Sequence, residues 1–249
     1  FGTASGEFKG SGEYLSLADS DDWNFGSGDF TTDTWVRFNV ATGYQTVVAQ
    51  YVDINNFWEF YLAEPEGLLK FRQDIAGNVT YIVSGSWSPV ANIWYHLAVV
   101  RNGNSWKLFV DGVQVGSTTN SITLTDWTGN LQVGYTANAG SLNGYLDELR
   151  ISKGIARWTA NFTPPSAPYE VDTTLPTVSS TSPASSATGV GVSSAISATF
   201  SEDMDSSTIT TSTFTLSSSG SSGNSVGWVK RSAPNKTGDV KDGFASLNP

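Results

Sequence analysis

Apolar and polar residues alternate in short runs along the first two-thirds of the chain, and Gly, Asn and Asp separate these runs. In the run Thr31–Val40, the apolar residues Val36, Phe38 and Val40 occupy every second position. A period of two residues is typical of a β-strand with one buried face. No segment keeps a helical period for more than about two turns. The pattern therefore predicts an antiparallel β-protein.

Further short segments carry the same alternation. Asn102-Gly103 and Asp111-Gly112 favour two-residue hairpin turns, because these residue types accept positive φ angles. Many short strands at this spacing are typical of a β-sandwich or jelly roll, and about 165 residues are enough for one large core. The other predicted strands are Thr46–Val52, Phe57–Ala63, Leu68–Gln73, Val79–Ser84, Trp94–Arg101, Trp106–Val110, Gln114–Thr118, Gly129–Val133 and Gly144–Ser152.

The composition changes sharply after the proline-rich stretch Thr163–Pro168. Of the nine Trp residues in the chain, all but Trp228 precede this stretch, and the residues that follow it are rich in Ser and Thr. Proline favours extended backbone, so the stretch is predicted to be a stiff linker. The expected domains are residues 1–168, a smaller β-sandwich at 169–225, and a basic segment of unknown structure at 226–249.

Charge and composition exclude several classes of function. The net charge is −10 with 14% charged residues, which argues against binding to nucleic acid or to anionic lipid. No apolar run is long enough to span a bilayer. The chain has no Cys, and His96 is its one His, so a thiolate site or a three-His zinc site is impossible. Many aromatics, many turn formers and few charges indicate a secreted protein, and a chain that begins with Phe1 is expected to be a processed or excised product.

Four stretches in the expected order carry a resemblance to a known family. Together they resemble the laminin G-like branch of the concanavalin A-like jelly rolls, across about residues 4–169. The resemblance implies an antiparallel jelly-roll sandwich, and such domains serve as lectins, carbohydrate-binding modules and adhesion modules. The stretches are Phe8–Ser16 with Gly28–Arg37, then Ile93–Arg101, Trp106–Gly112, and Gly144–Ser152 with the exit Asn161–Pro165.

The segment Pro176–Leu216 resembles the first half of a bacterial Ig-like domain, with the whole resemblance placed at about residues 172–217. Domains of this type are usually spacers in surface proteins. The pattern ends after Ser217. Either the second half has diverged, or a truncated spacer pairs with a neighbouring chain through its open strand edges. The second alternative predicts self-assembly through the C-terminal region.

The family resemblance also implies a structural calcium ion that joins N-terminal loops to an Asp in the last strand. The loop Ala18–Gly28 is rich in carboxylates, which Ca²⁺ prefers as ligands. One Asp in Gly144–Ser152 matches the last-strand position. The structural alternative is that this carboxylate caps backbone N–H groups or pairs with a nearby arginine. The predicted calcium ligands are Asp19, Asp21, Asp22 and Asp147.

Aromatic and planar polar residues suggest a sugar-binding face. Alternation puts Glu59 and Tyr61 on one face of their strand, and Lys70 and Arg72 on one face of the next. Saccharides bind where aromatic rings stack on C–H groups and planar polar groups pair with hydroxyls. The alternative is that these aromatics pack in the core. The predicted ligand-binding residues are Tyr44, Asn56, Trp58, Tyr61, Arg72, Tyr81, Trp87 and Trp127.

Catalysis is not expected. Retaining glycosidases need two carboxylates that project into one cleft, but Glu64-Pro65-Glu66 reads as a turn, and Asp147-Glu148 are adjacent and so face opposite ways. No motif suggests a nucleophile for His96 to activate. The sequence therefore predicts an extracellular carbohydrate-binding or adhesion module without catalytic activity. The alternatives are a structural or decoration subunit of a fibre, filament or virion, and a glycoside hydrolase of the same fold.

Overall fold

The computed structural model describes residues 4–169, 176–191 and 193–201, and the backbone of two more strands at 216–218 and 226–228. The chain divides into two compact units, Phe1–Glu170 and Val171–Pro249. The described elements are antiparallel strands and two short 3-10 helices. The predicted all-β architecture is confirmed. No helix within the described ranges is long and apolar enough to cross a membrane.

The first unit contains two six-stranded antiparallel sheets. In the first sheet, sheet I, strand β1 (Gly6–Lys9) forms one edge. In spatial order its strands are β1, β14 (Asn143–Lys153), β3 (Phe30–Phe38), β8 (Trp94–Asn102), β9 (Ser105–Val110) and β10 (Val113–Thr119).

The second sheet, sheet II, packs against sheet I. A two-stranded hairpin of β12 (Tyr135–Thr136) and β13 (Gly140–Ser141) contacts its strand β4, and 3-10 helices cover Asp21–Trp23 and Glu64–Glu66. In spatial order the strands of sheet II are β2 (Leu15–Leu17), β11 (Asn130–Val133), β4 (Tyr44–Asp53), β5 (Asn56–Ala63), β6 (Leu68–Ile75) and β7 (Asn78–Ser86).

The core lies between the two sheets, where the inward-facing apolar residues of both sheets meet. Val36 and Phe38 are fully buried there, as their alternation predicts. Val40 is 41% exposed, so its predicted place on the same face is wrong, because β3 ends at Phe38. Burial of the large aromatic side chains supplies much of the driving force for folding. The core includes Phe8, Phe30, Trp58, Phe60, Phe71, Leu97, Trp106 and Leu108.

The hairpin between β9 and β10 confirms a predicted turn. Asp111 and Gly112 have φ angles of 48° and 76°, as a type I′ turn requires. A Cβ atom on Gly112 would lie 1.8 Å from the carbonyl oxygen of Phe162. The turn needs glycine because a later segment of the chain passes directly over it.

That later segment, residues 154–169, is called the strap. It crosses the outer face of sheet I, which is the face turned away from the core. Thr31 donates its hydroxyl to the carbonyl of Ile155 at 2.8 Å. The rings of Trp158 and Phe162 stack 3.8 Å apart. They pack on a small apolar cluster of Ala98, Val100 and Phe109.

In the second unit, two strand pairs are described. β15 (Val178–Ser182) pairs with β16 (Ser197–Phe200), and β17 (Leu216–Ser218) pairs with β18 (Val226–Trp228), both antiparallel. Strand pairing therefore continues past Ser217, where the sequence pattern ends. The predictions for 202–215 and for most of 226–249 lie outside the described residues.

Candidate ligand-binding site

The outer face of sheet II carries alternating charged and aromatic side chains. Trp58 and Phe60 point from β5 into the core, so Glu59 and Tyr61 point outward. The next strand, β6, follows the same rule, and its register sets Arg72 opposite Glu59. The neighbouring strand β7 places Tyr81 on the other side of Arg72.

Arg72 is the centre of this face. Its Nε donates to Glu59 Oε1 at 2.6 Å, and its Nη2 forms an ion pair with the same carboxylate. The guanidinium carbon lies 4.7 Å from the ring centroid of Tyr61 and 5.9 Å from that of Tyr81. Such contacts hold the planar guanidinium in one orientation. Arg72 is therefore pre-positioned before any ligand arrives.

Glu59 is fully buried beneath Arg72. Its second oxygen accepts a hydrogen bond from the hydroxyl of Thr136 at 2.8 Å. Burial raises the pKa of the Glu59 carboxyl, and the nearby Arg72 opposes that shift. Burial also favours the neutral form of Arg72, but the charge of Glu59 prevails and raises the pKa of the guanidinium. The buried Glu59 carboxylate therefore fixes the position of the Arg72 guanidinium, which reaches the surface.

A second charged pair lies beside the first. Lys70 forms a short ion pair with Glu66, and Lys70 Nζ lies 4.8 Å from the ring centroid of Tyr81. The Tyr44 hydroxyl donates to Glu66 Oε1 at 3.0 Å. Hydrogen bonds from Lys70 and Tyr44 lower the pKa of the Glu66 carboxyl. Glu66 therefore links the tyrosine at the start of β4 to the lysine of β6.

Two tyrosines at the margins of this face are open to solvent. Tyr44 is 44% exposed and Tyr81 is 55% exposed. Exposed rings beside fixed cations and carboxylates are the combination that recognises saccharides. We call this surface the sheet II face. It consists of Tyr44, Glu59, Tyr61, Glu66, Lys70, Arg72 and Tyr81.

Four of the eight predicted ligand-binding residues come together on the sheet II face. They are Tyr44, Tyr61, Arg72 and Tyr81. Tyr61 is only 1% exposed and packs with Ala63 and Ala139, so it supports Arg72 from beneath, and its prediction as a ligand-binding residue is corrected.

Two residues of the site are not among those that the sequence analysis placed on a sugar-binding face. Glu66 belongs to the sheet II face, and Thr136 supports it through its bond to Glu59. The sequence around Glu66 predicts only a turn, and Thr136 comes from a hairpin far along the chain with no local signal.

The other predicted residues lie elsewhere. Trp58 is 1% exposed in the core and donates its indole N–H to Gln50 at 3.1 Å, so its prediction as a ligand-binding residue is corrected. Trp87 packs on the core, with its ring centroid 5.0 Å from that of Tyr95. Trp127 also packs against the core.

Asn56 lies at the turn between β4 and β5. Its amide nitrogen donates to both carboxylate oxygens of Asp53 at 3.0 Å, and its amide oxygen accepts from the backbone N–H of Ala76 at 3.2 Å. These bonds give Asn56 a role in holding two adjacent turns together. It is not one of the residues of the sheet II face.

The predicted calcium ligands separate into two places. Asp19, Asp21 and Asp22 lie in and beside the first 3-10 helix. The end of β14 reaches that helix, where Lys153 donates to the carbonyl of Asp21 at 2.6 Å. Asp147 is six residues earlier in the same strand, a path of roughly 20 Å at 3.3 Å per residue. The four carboxylates do not converge on one ion.

The carboxylates of Asp19 and Asp22 have protein partners. Asp19 accepts from the amide of Gln50 at 3.0 Å, and Asp22 accepts from the hydroxyl of Ser20 at 2.9 Å. Across the described ranges, no three His, Cys, Asp or Glu residues are grouped so that they could hold a metal ion. The residues present do not fit the predicted joint calcium site. Calcium binding itself stays a prediction, which a thermal melt with and without a chelator would test.

Comparison with known proteins agrees with this architecture. Residues 9–157 match the model of the concanavalin A-like lectin/glucanases superfamily, in its laminin G branch, and residues 172–240 match a bacterial Ig-like domain. The second match extends beyond the 172–217 of the sequence resemblance. No curated protein sequence matches the chain.

Several solved structures are similar to this chain. Domain 4 of an extracellular arabinanase from Geobacillus stearothermophilus, in complex with arabinotriose, is 21% identical, with a TM-score of 0.45 over 55% of this chain and 65% of that one. Laminin G domains 4 and 5 of the mouse laminin alpha1 chain are 16% identical, with a TM-score of 0.46 over 59% and 40%. The carbohydrate-binding module CBM66 from Bacillus subtilis is 16% identical, with a TM-score of 0.40 over 58% and 96%.

The chain thus spans less than two thirds of the first two of these structures. The family assignment comes from the match over residues 9–157, which is more than half of the chain. That match coincides with the two sheets that the strand register defines. The chain belongs to the concanavalin A-like lectin/glucanase superfamily.

Proposed function

We propose that this protein is a non-catalytic, extracellular carbohydrate-binding module that holds neutral saccharides on the sheet II face. The observation that carries the proposal is the position of Arg72. Its guanidinium is held by Glu59 and flanked by the rings of Tyr61 and Tyr81. A fixed planar donor next to an exposed ring can pair with vicinal hydroxyls while the ring stacks on the sugar.

The charge balance of the face favours neutral sugars over acidic ones. The cations Lys70 and Arg72 are matched by the carboxylates Glu66 and Glu59. Asp74 follows Arg72 on the same face of β6 and adds a further buried carboxylate. An acidic sugar would have to compete with these carboxylates for both cations, at the cost of breaking an existing pair.

The carboxylates of the face are placed for support. Glu59 is fully buried and bound to Arg72 and Thr136, and Glu66 is bound to Lys70 and Tyr44. A glycosidase needs one carboxylic acid free to protonate the leaving group and a second that faces the sugar from the other side. The bonds made by both glutamates support a binding role for the face.

The test is calorimetric titration of the whole chain with arabinotriose, cellotriose and maltotriose as neutral probes, and with trigalacturonate as an acidic probe. We expect at least one neutral probe to bind, and trigalacturonate to bind more weakly. The variant Tyr81→Ala should lose about tenfold or more in affinity, since one stacked ring contributes about 1.4 kcal/mol. Thermal unfolding should change little, because the ring is on the surface.

Tyr14→Ala is the matched control. Tyr14 is also an exposed tyrosine, but it lies beside β2 at the edge of sheet II, and its removal should not change affinity. Tighter binding of trigalacturonate than of every neutral probe would contradict the proposed preference. Equal affinities of the Tyr81→Ala variant and the wild type would contradict the proposed location. Hydrolysis of any probe would overturn the non-catalytic assignment.

A further inference from the structure

The strap leaves one end of the outer face of sheet I uncovered. At this end the register places four side chains in a single row across four strands. Arg37 of β3 lies opposite Trp94 of β8 on one side and opposite Tyr145 of β14 on the other. Glu7 of β1 lies opposite Tyr145. Directly opposed residues share a face, and Val36 and its neighbours in the core show that this face is the outer one.

The row combines two aromatic rings with a guanidinium that lies over one of them. The Arg37 guanidinium carbon lies 4.7 Å from the ring centroid of Tyr145. The ring centroids of Trp94 and Tyr145 are 6.5 Å apart, with an angle of 53° between the planes. The Tyr145 hydroxyl donates to Glu7 Oε1 at 3.2 Å. Trp94 is 36% exposed, a large apolar area for a side chain that is usually well buried.

Planar amides surround the guanidinium. Arg37 Nη2 lies 3.4 Å from the amide oxygens of both Asn39 and Asn92. Asn39 in turn donates to Asn143 at 3.2 Å. Arg37 Nε is buried and has no hydrogen-bond partner among the residues that the structure describes. The bonds to the guanidinium are long, so this group has donor capacity that the protein uses only in part.

We propose that this row is a second saccharide-binding platform, separate from the sheet II face. The row offers an exposed indole for stacking, a planar guanidinium beside it and several amides within reach of a bound sugar. Arg37 and Glu7 balance in charge, so the platform also suits a neutral saccharide. The row takes one residue from each of four neighbouring strands and so runs across the sheet. This shape fits a short stretch of an extended oligosaccharide.

The two sites lie on the outer faces of opposite sheets. A module with one site on each side could bind two chains of a polysaccharide, or two segments of one chain. Simultaneous binding would raise the apparent affinity for a polymer above that for either site alone. The platform does not depend on the sheet II face, because the two share no residue.

The test is a two-dimensional NMR titration of the whole chain with arabinotriose, cellotriose and maltotriose up to about 10 mM, which detects weak sites. The indole N–H of Trp94 and the side-chain N–H of Arg37 report on the platform. We expect both signals to move with at least one probe. Trp94→Ala should abolish the Arg37 shift, while Tyr81→Ala should leave it unchanged.

Leu15→Ala is the matched control, because Leu15 is an exposed apolar residue on β2 of the other sheet. It should preserve the shifts at Trp94 and Arg37. Failure of the sheet II face alone would leave these shifts intact, so the two proposals fail separately. No shift at Trp94 with any probe would overturn the platform. Concentration-dependent dimerisation that Trp94→Ala removes would also overturn it, since the row would then be a protein-docking surface.

Discussion

The outer faces of the two sheets carry the same chemical ingredients in opposite settings. On sheet I, Asp33 forms an ion pair with Arg150, and Tyr169 joins them; on sheet II, Glu59 pairs with Arg72 between two tyrosines. The strap covers the first cluster, whereas the second reaches solvent through Tyr44 and Tyr81.

The Asp33 carboxylate of the covered cluster is satisfied by several internal bonds. Asp33 accepts from Arg150 Nε at 3.0 Å and from Arg150 Nη2 at 2.9 Å, and His96 Nε2 lies 3.1 Å from the same carboxylate. Tyr169 donates a short hydrogen bond to Asp33, and the Arg150 guanidinium lies 3.7 Å from the tyrosine ring centroid. Although burial acts in the other direction, the bonds from His96 and Arg150 lower the pKa of Asp33. This cluster fastens the strap.

The two clusters differ in how they are covered and not in their residue types. Both clusters fix an arginine with a buried carboxylate. In sheet I the second side of the arginine is occupied by Tyr169 of the strap. In sheet II a later hairpin covers Glu59 and Tyr61 through Thr136 and Ala139, but Tyr81 remains 55% exposed. The proposed saccharide would lie beside Tyr81 on sheet II, in the place that corresponds to Tyr169 of the strap on sheet I.

The largest expected effect is on the covered cluster. Asp33→Asn removes the charge that pairs with Arg150, and it should lower the free energy of unfolding by about 3–5 kcal/mol, as for a broken buried ion pair. Urea denaturation measures the loss. Amide hydrogen exchange should rise across the strap, while saccharide affinity of the folded fraction should stay unchanged. The exposed residue Asp126 provides the control, and Asp126→Asn should behave as the wild type does.

The pH dependence of the free energy of unfolding gives a second test of the role of Asp33. Because the folded-state pKa of Asp33 lies below its ordinary value of 3.8, its stabilising contribution is complete above that value and is lost as the pH falls towards the folded-state pKa. The difference in unfolding free energy between the wild type and Asp33→Asn should therefore be large at neutral pH and shrink below about pH 3.8. A difference that stays constant from neutral pH to pH 3 would contradict the role of the Asp33 charge.

A smaller effect is expected on the open cluster. Glu59→Gln keeps the shape of the side chain but removes the charge that holds Arg72, and it should cost about 1–3 kcal/mol of stability. The loss is smaller than at Asp33, because burial outweighs the partners of Glu59 and raises its pKa, whereas burial of Asp33 is outweighed by its bonds, which lower its pKa. Affinity for the neutral trisaccharides should also fall, since Arg72 would lose its fixed orientation. Unlike Asp33→Asn, this variant should leave strap exchange unchanged, and normal saccharide affinity would be evidence against the Arg72 anchor.

The period-two pattern predicts much of the fold, but it predicts only part of the site. Alternation correctly places Val36 and Phe38 in the core and sets Tyr61 outward. It also implies that Trp58 and Tyr61, three residues apart in one strand, face opposite ways. Trp58 and Tyr61 could not both line one surface, and the core position of Trp58 follows from that parity.

Contacts between distant segments leave no such pattern in the sequence. Thr136 supports Glu59 from a hairpin more than seventy residues later. The covered cluster on sheet I joins Asp33, His96 and Tyr169 from three separate parts of the chain. Strand order and the path of the strap decide these contacts, and neither can be obtained from local periodicity.

The most direct test of the account compares the two fixed arginines within one sample. The side-chain Nε–H signals of Arg72 and Arg150 are followed by NMR during titration with arabinotriose, cellotriose and maltotriose. The account predicts that the Arg72 signal moves with at least one of these sugars while the Arg150 signal stays in place. Movement of Arg150 without Arg72, or no movement of Arg72 with any of the three sugars, would contradict it.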